Sequence, residues 1–460
     1  MGNLRTTQSR CASGRNGLPS FGSSLGRLTI LLLALAVSAQ AQVGSPTGQA
    51  NSPGQEKTAP PSAQSPKLTT SKTPQAQPAP LAVPVNTEIG ELHGVSFRID
   101  VPRQNWNHGL VMYYHGYEAK PRVFSLEDGQ PRPPSRILQQ ILDRGYAVAE
   151  SGYSAGGWAV ESAFKDTEEL RQYFGKKYGK PKETLAMGHS MGGLLTVMTL
   201  EQHPGNYAGG LALCGVLAPA DFVMQRAFAN RVAFDAFFPG VLPEVDHIPP
   251  TFLMNDVPVI TKVQAALDAK PESAALIRSL ADIHTNRGLA DVLVFNTFVI
   301  EDLRLKTGGN PFDNRNLIYT GTTDDYTLNT QVKRYAGDRK SVEYMSEYYT
   351  PTGALKRKLL AIHTTYDPLV PAATAAYYDE ATRRLGAGDL FVQKYVNRDG
   401  HCNISADQTG EVFDELTAWV HQDHRPQPGI LAEAAQPAPP QKTPAQPQPK
   451  APPRNVGKPQ

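Results

Sequence analysis

The chain has 460 residues, with 45 Lys and Arg against 43 Asp and Glu and a formal net charge of +2. That balance, with no dense basic stripe interleaved with aromatic residues, argues against nucleic acid as a partner. The length exceeds what one compact core usually takes, so one large domain with additions is expected.

The additions at the ends are legible first. After a polar start carrying Arg5, Arg10, Arg15 and Arg27, Leu28 to Val37 reads LTILLLALAV, and Ala39-Gln40-Ala41 follows. A charged region, a short apolar run and a small-x-small site predict a secretory signal peptide over 1–41, cut after Ala41. The run is short for a membrane span and no second long one follows, so the mature protein is expected to be secreted or periplasmic, without stable membrane insertion. Residues 42–85 and 425–460 are rich in Pro, Gln and small or polar residues. Such segments bury too little apolar surface to offset their ordering entropy and read as disordered linker and tail. Cys11 falls in the signal, which leaves Cys214 and Cys402. In an exported chain these are most simply one disulfide, the alternative being two buried free thiols.

Between these ends, short apolar runs alternate with helical periods, the sign of a parallel sheet covered on both faces. Leu110 to Tyr114 predicts a buried strand that ends in His115-Gly116-Tyr117. A helix follows, with Ser135 as N-cap and Ile137, Leu138, Ile141 and Leu142 on one face. Tyr146 to Glu150 is the next strand and runs into SGYSAGGW; the helix after it carries Phe164, Thr167, Leu170 and Phe174. Thr184 to Gly188 is a third strand, running into GHSMGG and an apolar helix from Met191 to His203. Ala208 to Leu213 is a fourth, ending at Cys214. The alternation then lapses over 219–345, a helical stretch rich in phenylalanine (Phe222, Phe228, Phe234, Phe237, Phe238, Phe252). It resumes with strand Leu359 to His363, a helix from Pro371 to Leu385, strand Phe391 to Val396 and a last helix bearing Phe413, Leu416 and Trp419. The core is thus 86–218 and 346–424, and the insertion 219–345 is expected to form a lid over the strand ends.

Two stretches carry G-x-S-x-G, centred on Ser154 and on Ser190, the turn that lifts a serine nucleophile out of a sheet. Chain order separates them. A strand and a helix should intervene between the oxyanion loop and the nucleophile, and the unit Tyr146 to Phe174 is that interval if His115-Gly116-Tyr117 is the loop. Ser190 also passes at once into a helix, whose N-terminus and Met191 N–H can face an oxyanion. Ser190 is therefore the expected nucleophile. Ser154 is expected on a neighbouring loop, lining the substrate site with Trp158 or merely shaping its turn. The acid and base must follow in that order: Asp367 after strand Leu359 to His363, and His401 after strand Phe391 to Val396. His363, inside a strand, reads as structural, and Asp399 stands too close to His401 to be its partner.

YYHGY, GHSMGG, TYDPLVP and GHC, in that order, resemble the α/β-hydrolase superfamily over about Leu92 to Val420. The resemblance implies an α/β-hydrolase fold, a mostly parallel sheet with helices on both faces and a largely helical lid. The capped core is similar to secreted esterases and to the prolyl-oligopeptidase catalytic domain. Cys402 beside His401 resembles the tannase and feruloyl-esterase group, although there a cysteine directly precedes the nucleophile and here His189 does. Cys214 is placed to tether the His401 loop through Cys402.

The expected chemistry is acyl transfer on a carboxylic ester, with Ser190 as nucleophile, His401 as base, Asp367 as its orienter, and the Met191 and Tyr117 N–H groups as oxyanion hole. It requires no cofactor and no metal. The phenylalanine-rich insertion, Trp158 and Tyr117 suggest an apolar or aromatic small-molecule or oligomeric ester. Two rivals are a peptidase or amidase, with Glu244 or Asp246 anchoring a peptide amine, and a noncatalytic binding protein on the same scaffold.

Overall fold

The computed structural model describes residues 83–432; the signal peptide, nearly all of the linker 42–85 and the tail beyond 432 lie outside the described residues. The first strands, β1 (Val85–Leu92) and β2 (Val95–Pro102), form an antiparallel hairpin, and β3 (Gly109–Tyr114) is fully buried. A small hairpin of β4 (Leu126–Glu127) and β5 (Gln130–Pro131) precedes α1 (Arg136–Asp143). Then come β6 (Ala147–Ser151), α2 (Val160–Tyr178), β7 (Glu183–His189), α3 (Met191–Gln202) and β8 (Gly209–Leu213).

Six helices follow: α4 (Ala220–Phe237), α5 (Val257–Ala269), α6 (Pro271–Ala281), α7 (Asn286–Thr307), α8 (Asp325–Gln331) and α9 (Arg339–Glu347). The chain returns to the sheet through β9 (Lys358–Tyr366), α10 (Thr374–Arg384), β10 (Phe391–Asp399), α11 (Ala406–Gln422) and β11 (Gly429–Ile430). No helix among the described residues is long and apolar enough to cross a membrane.

The nine-stranded sheet has the order β1-β2-β6-β3-β7-β8-β9-β10-β11, antiparallel at β1–β2 and β2–β6 and parallel from β6 onward. Side chains alternate across it with the period of two that a strand imposes. Leu110, Met112 and Tyr114 pack on the face that carries α2, α3 and the insertion, whereas Val111 and Tyr113 pack on the face of α1 and α11. Both helices of the second face start on serine caps: Ser135 accepts the Leu138 N–H, and Ser405 forms a capping box with Gln408.

The order has one consequence for the site. β3 lies between β6 and β7, so the turn after β3 borders the turn after β7, while the turn after β6 stands one strand farther out.

The C-terminal boundary expected at 424 needs correction. Ile430 pairs with Tyr395, Leu431 N–H donates to Tyr395 O at 2.7 Å, and the Leu431 side chain is buried. The unpaired edge of β10 captures this short segment, a long-range pairing that composition does not reveal.

Candidate active site

Strand β7 ends at His189 and α3 begins at Met191, so Ser190 makes the turn alone, at φ 57° and ψ −122°. Few non-glycine residues adopt such a backbone, and this one is held by its N–H, which donates to Leu213 O on β8 at 2.9 Å. Glycines make room for it. A Cβ on Gly188 would stand 2.3 Å from Gly192 O, and one on Gly192 would stand 2.0 Å from Tyr114 O. No larger residue fits either position, which is the physical content of the motif.

Ser190 Oγ lies 2.8 Å from His401 Nε2, and His401 Nδ1 lies 2.7 Å from Asp367 Oδ2. With Nδ1–H donated to the carboxylate, Nε2 is left to accept the serine proton. Asp367 is buried just beyond β9, and its Oδ1 accepts the N–H groups of Leu369 and Val370, each at 2.9 Å. Its Oδ2 also faces His363 Nε2 at 3.2 Å, an atom that lies 2.9 Å from Val370 O. Burial alone would raise the Asp367 pKa, but the hydrogen bonds from His363 and His401 outweigh it and hold this carboxyl well below the usual range. His363, read from the sequence as structural, thus touches the acid directly.

His401 sits two residues past the end of β10, whose pairing with β9 shifts register between Val396 and Asp399. The next residue, Cys402, is disulfide-bonded to Cys214 at the end of β8, 188 residues away in sequence. The bridge anchors the base loop to the strand beside the elbow. Cys214, His401 and Cys402 form the kind of cluster that binds metals, but both sulfurs are engaged with each other.

Tyr117 and Met191 offer backbone N–H groups that have no hydrogen-bond acceptor among the described residues. Both residues line one cleft with Ser190, and a Cβ on Gly116 would stand 3.3 Å from Ser190 Cβ, so the β3 turn packs directly on Ser190. The neighbouring histidines are kept neutral. Burial pushes the His115 pKa down to about 3 and that of His189 down to about 4. The His115 ring stacks on Tyr153 at 3.8 Å, and His189 Nδ1 bonds Tyr113 Oη at 2.7 Å.

The cleft is narrow, with a free volume of about 50 Å³, and opens to solvent. Val216, Val223, Val292, Phe295, Val299 and Leu369 make most of its wall with Trp158, and Arg226 and Asn296 are its polar residues apart from Ser190 and Tyr117. Three expectations are corrected here. Ser154 does not line the cleft: it is exposed, and its N–H donates to Asp166 Oδ2 at 2.6 Å. Its loop follows β6, on the far side of β3 from the elbow. The phenylalanines singled out in the insertion do not line it either. Phe228, Phe234 and Phe238 fill the insertion's own core, Phe228 stacked on Phe312 at 4.6 Å and Phe234 on Phe238 at 4.9 Å, because six helices need an interior of their own. Glu244 and Asp246 face Lys333 and lie away from the cleft.

One contact missed by sequence reasoning joins the insertion to the turn after β3. Asp302 on α7 accepts the Tyr117 hydroxyl at 2.9 Å and the Trp158 N–H at 2.7 Å. Burial raises its pKa while these bonds oppose the rise. Trp158 Nε1–H in turn donates to Tyr348 O at 2.7 Å, just after α9. Gly157 is required by this latch, since a Cβ there would stand 2.0 Å from Asp302 Oδ1. An isolated aspartate within a long helix gives no signal of such a role.

The strand order, the reversal of β3 between β6 and β7, and a serine alone in a strand–turn–helix elbow define the α/β-hydrolase fold. The chain takes that fold. Residues 161–233 match the prolyl oligopeptidase family, a segment that runs from α2 through the elbow into α4. No curated protein matches the chain. Among solved structures it is similar to Pyrococcus horikoshii acylaminoacyl peptidase, at 11% identity and TM-score 0.39 over 73% of this chain and 41% of that one. The chain therefore spans about two fifths of the length of that peptidase. Candida antarctica lipase A matches at 14% identity and TM-score 0.42 over 74% of this chain and 77% of the lipase. A Pyrococcus furiosus esterase matches at 14% identity and TM-score 0.37 over 78% and 94% of the two chains.

Proposed function

We propose that the protein is an exported serine hydrolase that cleaves a carboxylic ester through an acyl-enzyme on Ser190. The observation that carries this reading is the unbroken chain from Ser190 Oγ through His401 to the buried Asp367 carboxylate, at 2.8 and 2.7 Å. His401 Nε2 takes the serine proton as Oγ attacks the carbonyl carbon, Asp367 stabilises the imidazolium, and His401 returns the proton to the leaving alcohol. Water then repeats the sequence on the acyl-enzyme and releases the acid. The Tyr117 and Met191 N–H groups bind the oxyanion; losing one such donor typically costs about 3–4 kcal/mol.

The apolar wall of the cleft supports an ester whose acyl part is largely hydrocarbon. The match of residues 161–233 to the prolyl oligopeptidase family supports peptide cleavage as the second reading. Turnover of aryl esters and peptide anilides by the purified protein, with a fluorophosphonate label mapped by mass spectrometry, separates the two. The ester reading expects labelling at Ser190 and ester turnover far above anilide turnover; comparable anilide turnover makes the protein a peptidase. No labelling and no turnover would leave a binding protein on a hydrolase scaffold. Export is supported by the apolar run Leu28 to Val37 and by the bridged cysteines. N-terminal sequencing of the mature protein should begin at Gln42; a start at Met1 refutes it.

A further inference from the structure

The cleft beside Ser190 contains two polar side chains with work left undone. Asn296 on α7 is 4% exposed, yet its amide makes no hydrogen bond among the described residues. The residue lines the cleft, so its amide is open to it and free to bond a ligand or a water there. Arg226 on α4 is half-buried on the same wall and, among the described residues, has no carboxylate in ion-pair contact; its single side-chain hydrogen bond among them goes from Nη2 to Ala281 O at 2.5 Å. One carbonyl leaves most of the guanidinium's five donors uncommitted. Burial lowers the Arg226 pKa, and the charge of the exposed Asp282 only partly offsets it.

The cleft also has a side. The leaving group must sit against His401, which protonates it, and His401 is not part of the cleft wall, whereas Ser190, Met191 and Tyr117 are. The cleft therefore holds the acyl portion, next to the oxyanion donors. Resting on the reading of Ser190 as nucleophile, we propose that the acyl group carries a carboxylate, received by Arg226 and Asn296 beyond an apolar stem packed on Val223, Val292 and Phe295. Guanidinium binding to a carboxylate in a partly desolvated site is strong and directional. The reaction on such a substrate releases an alcohol and a dicarboxylic acid, with one water consumed.

The test compares para-nitrophenyl hydrogen adipate and suberate with the neutral hexanoate and octanoate esters. The intact protein should favour the acidic ester of a pair by about 10- to 100-fold in kcat/KM, the range expected of one charge-assisted contact. In Arg226→Gln that ratio should collapse towards one, and Arg226→Lys should restore part of it; fluorophosphonate labelling of Ser190 shows that each variant is folded. Equal handling of both esters by the intact protein overturns the proposal, as does a preference that survives Arg226→Gln. An adipamic ester favoured as strongly as the adipate overturns the anionic assignment. If no ester is cleaved, the hydrolase reading fails, and calorimetry on Ser190→Ala still decides the site. Monomethyl adipate should bind more tightly than methyl hexanoate, and the difference should vanish in Ser190→Ala/Arg226→Gln; no difference overturns the proposal.

Discussion

The two G-x-S-x-G stretches use the same residues for opposite ends. At Ser190 the glycines let a strand and a buried helix close on each other so that the serine alone is pushed into the cleft, at positive φ. At Ser154 the glycines let neighbouring backbone come in: a Cβ on Gly152 would stand 2.0 Å from Arg122 O, and one on Gly156 would stand 2.5 Å from Ala119 O. The serine itself is exposed. Five residues of motif specify a tight turn; whether the turn presents a nucleophile depends on what abuts it. Ser190 meets His401 across β8 and β9, whereas the Ser154 loop meets the β3–α1 connection and, at Gly157, Asp302 of the insertion.

The sharpest way to break that contrast is to exchange the serines' fates. Ser190→Ala should lower kcat by about a million-fold, as loss of a triad nucleophile does elsewhere, and Ser154→Ala should stay within about 2-fold of the parent. Measured ester turnover of the two variants reversed in order would overturn the assignment. The next effect comes from the latch at the second turn. Asp302→Ala strips the Tyr117 hydroxyl and the Trp158 N–H of their acceptor, at about 1–3 kcal/mol for each buried donor. With Tyr117 as a proposed oxyanion donor, kcat should fall by about 10-fold with the label still placed on Ser190. An unchanged kcat would mean that the insertion does not position the β3 turn.

The bridge at the first turn should matter more for stability than for rate. Cys214→Ala/Cys402→Ala is expected to cost about 2–5 kcal/mol in denaturant unfolding, since it frees a long loop in the unfolded chain. It should also broaden the pH–rate profile as the His401 loop loosens. An intact midpoint would show that the bridge contributes nothing.

A last effect is on pH. The folded His115 and His189 hold pKa values of about 3 and about 4, below the 6.5 of an unperturbed histidine. Between pH 6.5 and 4 the unfolded chain therefore binds more protons than the folded one. Stability is fully present above pH 6.5 and is lost as pH falls, by about 1.4 kcal/mol per pH unit for each group. His189→Gln should remove one group's share of that slope in urea melts; an unaltered slope would mean that His189 is not neutral in the folded protein.

Much of the fold and the placement of Ser190, Asp367 and His401 was legible because they are carried by local rules. Alternating strands and helices, glycines flanking Ser190, and the chain order of serine, acid and histidine each leave a short-range mark at 110–114, 183–202 and 358–422. The hairpin β1–β2 and the strand β11 left weaker marks. Their pairing depends on partners far away in sequence, Ile430 on Tyr395 for instance. His363 was read as a strand residue, correctly as to its place, but its contact with Asp367 depends on how the chain turns after Tyr366.

What this sequence determined by itself is the placement specified by backbone sterics and strand order: the elbow at Ser190, Asp367 after β9 and His401 after β10. The tertiary structure decided everything that requires two distant segments to meet. It set Ser154 aside by inserting β3 between β6 and β7, turned the phenylalanines of the insertion inward to make a core, and brought Asp302, Arg226 and Asn296 to the cleft. A helix's periodicity says which residues share a face. Only the packing of that helix against its neighbours decides whether the face meets a core, a latch or a substrate.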